Sequence, residues 1–182
     1  ASTAVFHAVG PRLRGYRAAL QDAGLPFDES LYLVGHTTEH GQAVAAARAV
    51  VAQALRQAAP PDAVFATTTY LAIGALQGAQ DAGARVPDDL SVVGYDDHPW
   101  AEALAPSLSV VYRDGSMLGT ITAELLLRRL EDRSAGPPER IVLPTKLIVR
   151  QSSGLASVLH EPMRSQAGEA PIIGATQGDL DP

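Results

Sequence analysis

Residues 86–111, VPDDLSVVGYDDHPWAEALAPSLSVV, constrain the fold more than any other part of the chain. Two short β-branched runs, 91–93 and 108–111, have the pattern of buried strands. Between them, Gly94 ends a strand and Tyr95, Asp96 and Asp97 follow, an aromatic ring and two carboxylates. Open α/β sheets bind ligands at the carboxyl ends of their strands, so this placement suits a small-molecule site. The same residues also read as a plain strand exit, with Asp96 or Asp97 as a turn or cap residue.

The flanking sequence alternates strand and helix patterns. Residues 1–9 read as the end of a strand. A helix over 12–23 places Leu13, Tyr16 and Leu20 on one face and stops at Gly24 and Pro26. A strand is predicted at 31–34. Thr37 or Thr38 would cap the next helix, whose stripe is Val44, Ala47, Val51, Ala54 and Leu55. Residues 63–66 read as a buried strand and 70–82 as a helix closed by Gly83. Residues 95–106 read as a loop before a strand at 108–112. A helix over 116–133 turns Leu118, Ile121, Leu125 and Leu126 one way, with Glu124 and Arg128 at i,i+4. Strand runs at 140–143 and 146–150 flank Pro144, and residues 155–182 read as a flexible tail. Four alternations of strand and helix predict an α/β fold with a doubly wound, mostly parallel sheet.

A chain of 182 residues can bury one sizeable core. It has no cysteine, which excludes disulfides and thiolate metal sites. The net charge of −6 argues against a DNA-binding surface, since such binding rests on neutralising phosphates. No stretch has the length of a membrane span and the N-terminus has no basic region before an apolar core, so the expected compartment is the cytoplasm. Dinucleotide, phosphate-loop, His-Glu-x-x-His and Gly-x-Ser-x-Gly motifs are missing, and no cofactor or enzymatic activity is expected. His36 and His40 have metal-pair spacing, but the cap signal between them favours solvated side chains over a metal site. Asp96 and Asp97 could form a phosphoacceptor or Mg²⁺ pair, but the chain offers no further acidic residue at the first strand end. The pairs Gly74/Gly78 and Gly115/Gly119 read as close-packing points. Trp100 reads equally as an interaction residue, a lid or a buried ring.

VPDDLSVVGYDD, followed by Pro106-Ser107-Leu108-Ser109-Val110-Val111, resembles the lactose/galactose-repressor family of bacterial regulators. Pro61–Ala66, Leu71–Leu76, Gly83–Pro87, Arg12–Leu20 and Leu143–Gly154 match the same family in the same order, so the resemblance spans residues 12–154. Collectively these motifs are specific, although no single one is.

The resemblance implies a lobe of the periplasmic-binding-protein-like type, with a second, N-terminal lobe incomplete. Effector binding and dimerisation would occupy 1–154, with the helix within 113–135 belonging to the N-terminal lobe. About another half of chain, carrying the helix-turn-helix and most of the first lobe, would precede Arg12, making this a fragment, a truncated gene product or a remnant lobe with a stranded helix. The implied ligand is a sugar or nucleoside-like effector, held by Arg12 and Asp96, with Thr68 adding a weaker hydrogen bond. Asp97 and Arg14 should matter much less. Thr68-Thr69 replaces the usual Asn-Asp or Ser-Asp of the family, and no aromatic follows Gly35 at the family's stacking position. A homodimer through Leu71, Ile73, Trp100 and Leu104 is implied, and operator DNA would be read only by the absent domain. A solute-binding protein of an uptake system shares the fold and stays the alternative, with an enzyme on a doubly wound sheet behind it.

Overall fold

The two β-branched runs lie side by side at the centre of an open sheet. Residues 9–33, 40–131 and 137–154 are described in this computed structural model. Strand β1 (Ala63–Phe65), β2 (Ser91–Tyr95) and β3 (Ser109–Arg113) are parallel neighbours, with Val64 opposite Val92 and Gly94 opposite Val110. Strand β4 (Thr145–Ile148) completes the order β1-β2-β3-β4. The helices are α1 (Val9–Asp22), α2 (His40–Ala54), α3 (Thr69–Ala82), α4 (Pro99–Ala103) and α5 (Gly115–Glu131). The expected α/β class with a mostly parallel open sheet is what the chain forms.

By contact density the chain divides into two units, 1–112 with 147–160, and 113–146 with 161–182. In the first, Leu90, Val92, Leu108 and Val110 are fully buried, and Ala72, Ala75 and Ala79 of α3 join them with Val51 of α2. Burying one such aliphatic side chain contributes about 1.5–3 kcal/mol, so these strands anchor the unit. Alanine on α3 lets the helix lie close to the sheet. Gly94 serves the same approach, because a Cβ there would sit 3.2 Å from the Ala72 Cβ and from Leu108. Gly94 is therefore a packing position inside β2, not the strand's end.

Helices α2 and α3 cross at Gly74 and Gly78. A Cβ on Gly74 would meet the Val44 carbonyl oxygen at 2.4 Å, and one on Gly78 the Arg48 carbonyl oxygen at 2.6 Å. Arg48 then ties the helices by donating to Asp81 from Nε at 2.5 Å and from Nη2 at 2.8 Å. Gly83, at φ +72°, closes α3 in the left-handed conformation that glycine adopts without strain.

The second unit is described by α5 and residues 137–146. Asp114 Oδ1 accepts from the Met117 N–H at the start of α5, and Arg128 pairs with Glu139 at 3.7 Å. On the expected stripe Ile121 and Leu125 are half-buried and Leu118 and Leu126 exposed. Among the described residues nothing lies within 4 Å of a Cβ on Gly115 or Gly119, so there that glycine pair makes no close packing.

Several boundaries differ from expectation. The strand expected at 31–34 is absent over its described part: Glu29–Leu31 form a 3₁₀ turn capped by Asp28, which accepts from the Ser30 N–H. Val9 begins α1 rather than ending a strand, so Arg12 lies three residues into the helix. Strand β1 is exposed at Ala63 and half-buried at Val64 and Phe65, not buried throughout. The loop expected at 95–106 contains α4, begun by Pro99 at its first position, where a missing N–H costs nothing. Residues 140–143 form no strand; Pro144 precedes β4, which stops at Ile148. The strand expected over 1–8, the Thr37 or Thr38 cap, His36 and the tail over 155–182 lie outside the described residues, as does the side chain of His40.

Candidate functional site

Strand β2 delivers its carboxyl end into a turn held from several sides. Tyr95 O accepts from Thr69 Oγ1 at 3.1 Å, which fastens the strand end to the first turn of α3. The Asp96 N–H donates to Val111 O at 3.0 Å, continuing the pairing with β3 beyond the strand. Asp96 has φ +65°, the one non-glycine residue with positive φ among the described residues. Aspartate tolerates that left-handed conformation better than most side chains but is still held in it by its surroundings.

The next residue turns away. Asp97 receives a two-pronged bond from Arg150, Nη1 to Oδ1 and Nη2 to Oδ2, both at 2.9 Å, and Arg150 Nη1 also donates to Leu108 O at 2.8 Å. The side chains are 15% and 20% exposed, so the pair is largely removed from water. The Asp97 hydrogen bond raises the pKa of the guanidinium above its ordinary value, against the desolvation. Behind Arg150, Ser109 Oγ accepts from the Arg150 N–H at 2.8 Å, and Ser152 Oγ accepts from the Ser109 N–H while donating to Val92 O. Residues 150–153 are thereby pinned to the core of the sheet.

On the other side of the turn, the Arg12 guanidinium carbon lies 3.6 Å from the centroid of the Tyr95 ring. Arg12 Nη1 donates to Thr67 O. Thr68 caps α3, its Oγ1 accepting from the Leu71 N–H at 3.3 Å, and its own hydroxyl hydrogen remains a donor. Arg12, Thr68 and Asp96 all line one cavity of about 570 Å³, within the range of small-ligand sites. The rest of the wall is mainly apolar and aromatic, including Tyr16, Phe27, Tyr32 and Trp100. A few charged groups converging on an apolar hollow favour a ligand with both hydroxyl groups and apolar faces.

The four residues expected at a dimer interface lie on α3 and around α4. All are half-buried; Leu71, Trp100 and Leu104 pack against the chain's own core, and Leu71, Ile73 and Trp100 line the cavity. Trp100 also stacks on His98, ring centroids 5.6 Å apart and planes 10° apart. Among the described residues no group of three or more metal-ligating side chains occurs, and no helix is long and apolar enough to cross a membrane.

Residues 5–153 match the periplasmic binding protein-like domain. The chain belongs to that family. It is 40% identical over 141 residues to the HTH-type transcriptional regulator CelR of Thermobifida fusca, covering 78% of this chain and 40% of that protein. The solved complex of the transcriptional regulator CelR with cellobiose superposes with a TM-score of 0.66 at 38% identity, covering 78% of this chain and 42% of the other. A putative LacI-family transcriptional regulator of Sanguibacter keddieii gives a TM-score of 0.68 at 32% identity, covering 79% and 52%. The chain thus spans about two-fifths of the length of the curated relatives it matches. The resemblance to the lactose/galactose-repressor family is borne out.

Within this periplasmic-binding-protein-like lobe, reading the sequence missed two features. Arg150, Ser152 and Ser153 lie in a segment quoted for its resemblance, yet their bonds to Asp97 and Ser109 join residues more than forty positions apart, which spacing does not reveal. Thr69, noted as a departure from the family pattern, holds the carbonyl of Tyr95. The signal for it was only its adjacency to the cap residue Thr68.

Proposed function

We propose that this chain is the effector-sensing region of a LacI-type transcriptional regulator that binds a sugar or nucleoside-like molecule in the cavity at the β2 exit. The observation that carries the reading is the convergence of Arg12, Thr68 and Asp96 on one largely apolar cavity. A carboxylate accepts two hydroxyl hydrogen bonds, a guanidinium gives a rigid donor fork, and the Thr68 hydroxyl supplies one more donor. The named relative bound to cellobiose supports a carbohydrate in first place.

Effector occupancy would alter operator affinity through a helix-turn-helix outside this stretch, whose net charge of −6 is unsuited to DNA. The role is binding rather than catalysis, and its place is the cytoplasm, where the operator is. The effector-binding region is assigned to 1–154, with α5 in a second lobe, a reading supported by the division after Tyr112. Assembly as a homodimer through Leu71, Ile73, Trp100 and Leu104 belongs to the same reading, supported by their partial exposure on α3 and around α4.

Trp100 is the single tryptophan and lines the cavity, so its fluorescence reports occupancy directly. The full chain is titrated with cellobiose, lactose, ribose, adenosine and hypoxanthine, with leucine as a control. A saturable response to a sugar or nucleoside-like compound supports the proposal. A flat response across the panel contradicts it.

A further inference from the structure

Arg150 does not line the cavity, yet its guanidinium fixes the residue that follows Asp96. Asp96 itself is held at φ +65°, which persists only where neighbouring structure imposes it. On its N-terminal side the constraint comes from Thr69 on Tyr95 O and from the Asp96 N–H on Val111 O. On its C-terminal side the side-chain anchor is the Arg150 fork on Asp97. The fork is itself immobile, because Arg150 bonds Leu108 O through its side chain and Ser109 through its backbone.

We propose that Arg150 is a positioning residue for effector recognition: through Asp97 it holds Asp96 in the left-handed conformation in which Asp96 lines the cavity. The inference rests on the reading of that cavity as an effector site. Without the fork, residue 96 relaxes toward the broad extended region, which reorients its side chain relative to the cavity. Asp97 then matters for binding although its side chain points elsewhere, contrary to the expectation from sequence that it would matter little.

The test uses the full chain with Arg150→Gln, Arg150→Lys and Asp97→Asn, each alone and combined with Asp96→Ala. Arg150→Gln leaves a largely buried carboxylate without its fork, so Asp97→Asn, a neutral isostere, provides an independent route to the same loss. Two quantities are read: hydrogen exchange at the Asp96 amide, with the Ala66 amide as reference, and cellobiose affinity by calorimetry. Arg150→Gln and Asp97→Asn should each speed exchange at Asp96 by about tenfold or more with Ala66 unchanged. Each should weaken cellobiose binding roughly three- to thirtyfold, and neither should weaken it further once Asp96 is alanine. Arg150→Lys, which keeps the charge and one donor, should fall between. Equal losses with and without Asp96, or unchanged exchange at its amide, overturn the inference. If the unaltered chain binds no member of the ligand panel, the effector reading fails, and amide exchange alone then decides whether Arg150 holds Asp96.

Discussion

The Arg12 guanidinium carbon lies over the Tyr95 ring, 3.6 Å from its centroid. The ring and the Thr67 carbonyl together hold this charged group at the cavity wall. A cation over an aromatic face contributes about 0.5–2 kcal/mol. Tyr95→Phe keeps the face and should leave effector affinity within about twofold. Tyr95→Leu removes it and should cost roughly three- to tenfold in affinity. Parallel calorimetric titrations of the two variants check this, and equal affinities contradict it.

The close crossing of α2 and α3 gives a stability prediction with opposite signs at two glycines. Gly74→Ala drives a Cβ to 2.4 Å from the Val44 carbonyl oxygen, backbone that cannot rotate aside. The helices must part, at about 1–3 kcal/mol. Gly119→Ala, within α5 and with no described residue near its Cβ, should instead stabilise by up to about 1 kcal/mol through helix propensity. Urea unfolding of both variants measures the two signs, and a neutral Gly74→Ala contradicts the packing described.

Acid sensitivity follows from carboxylates with depressed pKa values, Asp89 and Asp81 among them. Hydrogen bonds from the Arg85 side chain and backbone hold Asp89 at about 2. The Arg48 hydrogen bond lowers Asp81 as well. Because the folded values lie below the ordinary aspartate value of about 3.9, the stabilisation is complete above that pH. It is lost as pH falls toward 2. The melting temperature should therefore be level above about pH 5 and decline below about pH 4. Asp89→Asn should make the decline shallower; an identical slope contradicts the assignment.

Thr68 has two roles that substitution can separate. As the cap of α3 it accepts from the Leu71 N–H, and losing a cap costs about 0.5–2 kcal/mol. Thr68→Ser should keep both stability and affinity, whereas Thr68→Ala should lower the melting temperature and weaken effector binding only a few-fold. Thermal melts and titrations of the pair check this. A Thr68→Ala variant with unchanged stability contradicts the capping role.

What was legible in the sequence depended on whether the signal was local. The valines of β2 and β3 and the αL glycine after α3 carry their structure in neighbouring residues, and those elements fall where the pattern places them. The run 31–34 has the same apolar look, but Asp28 bonds the Ser30 amide and draws the preceding residues into a 3₁₀ turn. Local side-chain competition of that kind overrides a four-residue apolar pattern. At the site, the resemblance pointed to Arg12, Thr68 and Asp96, and they share one cavity. Arg150 escaped notice because its partner Asp97 lies far away in sequence.

The most direct test of the account is calorimetric titration of cellobiose into the full chain and its Arg12→Ala, Asp96→Ala and Arg14→Ala variants. Removing a charged partner of a ligand hydroxyl costs about 1.5–3 kcal/mol, roughly ten- to a hundredfold in affinity. Arg12→Ala and Asp96→Ala should each show that loss, while Arg14, exposed on α1 outside the cavity lining, should bind as the unaltered chain does. Affinity unchanged in both Arg12→Ala and Asp96→Ala would contradict the assignment of this cavity as the effector site.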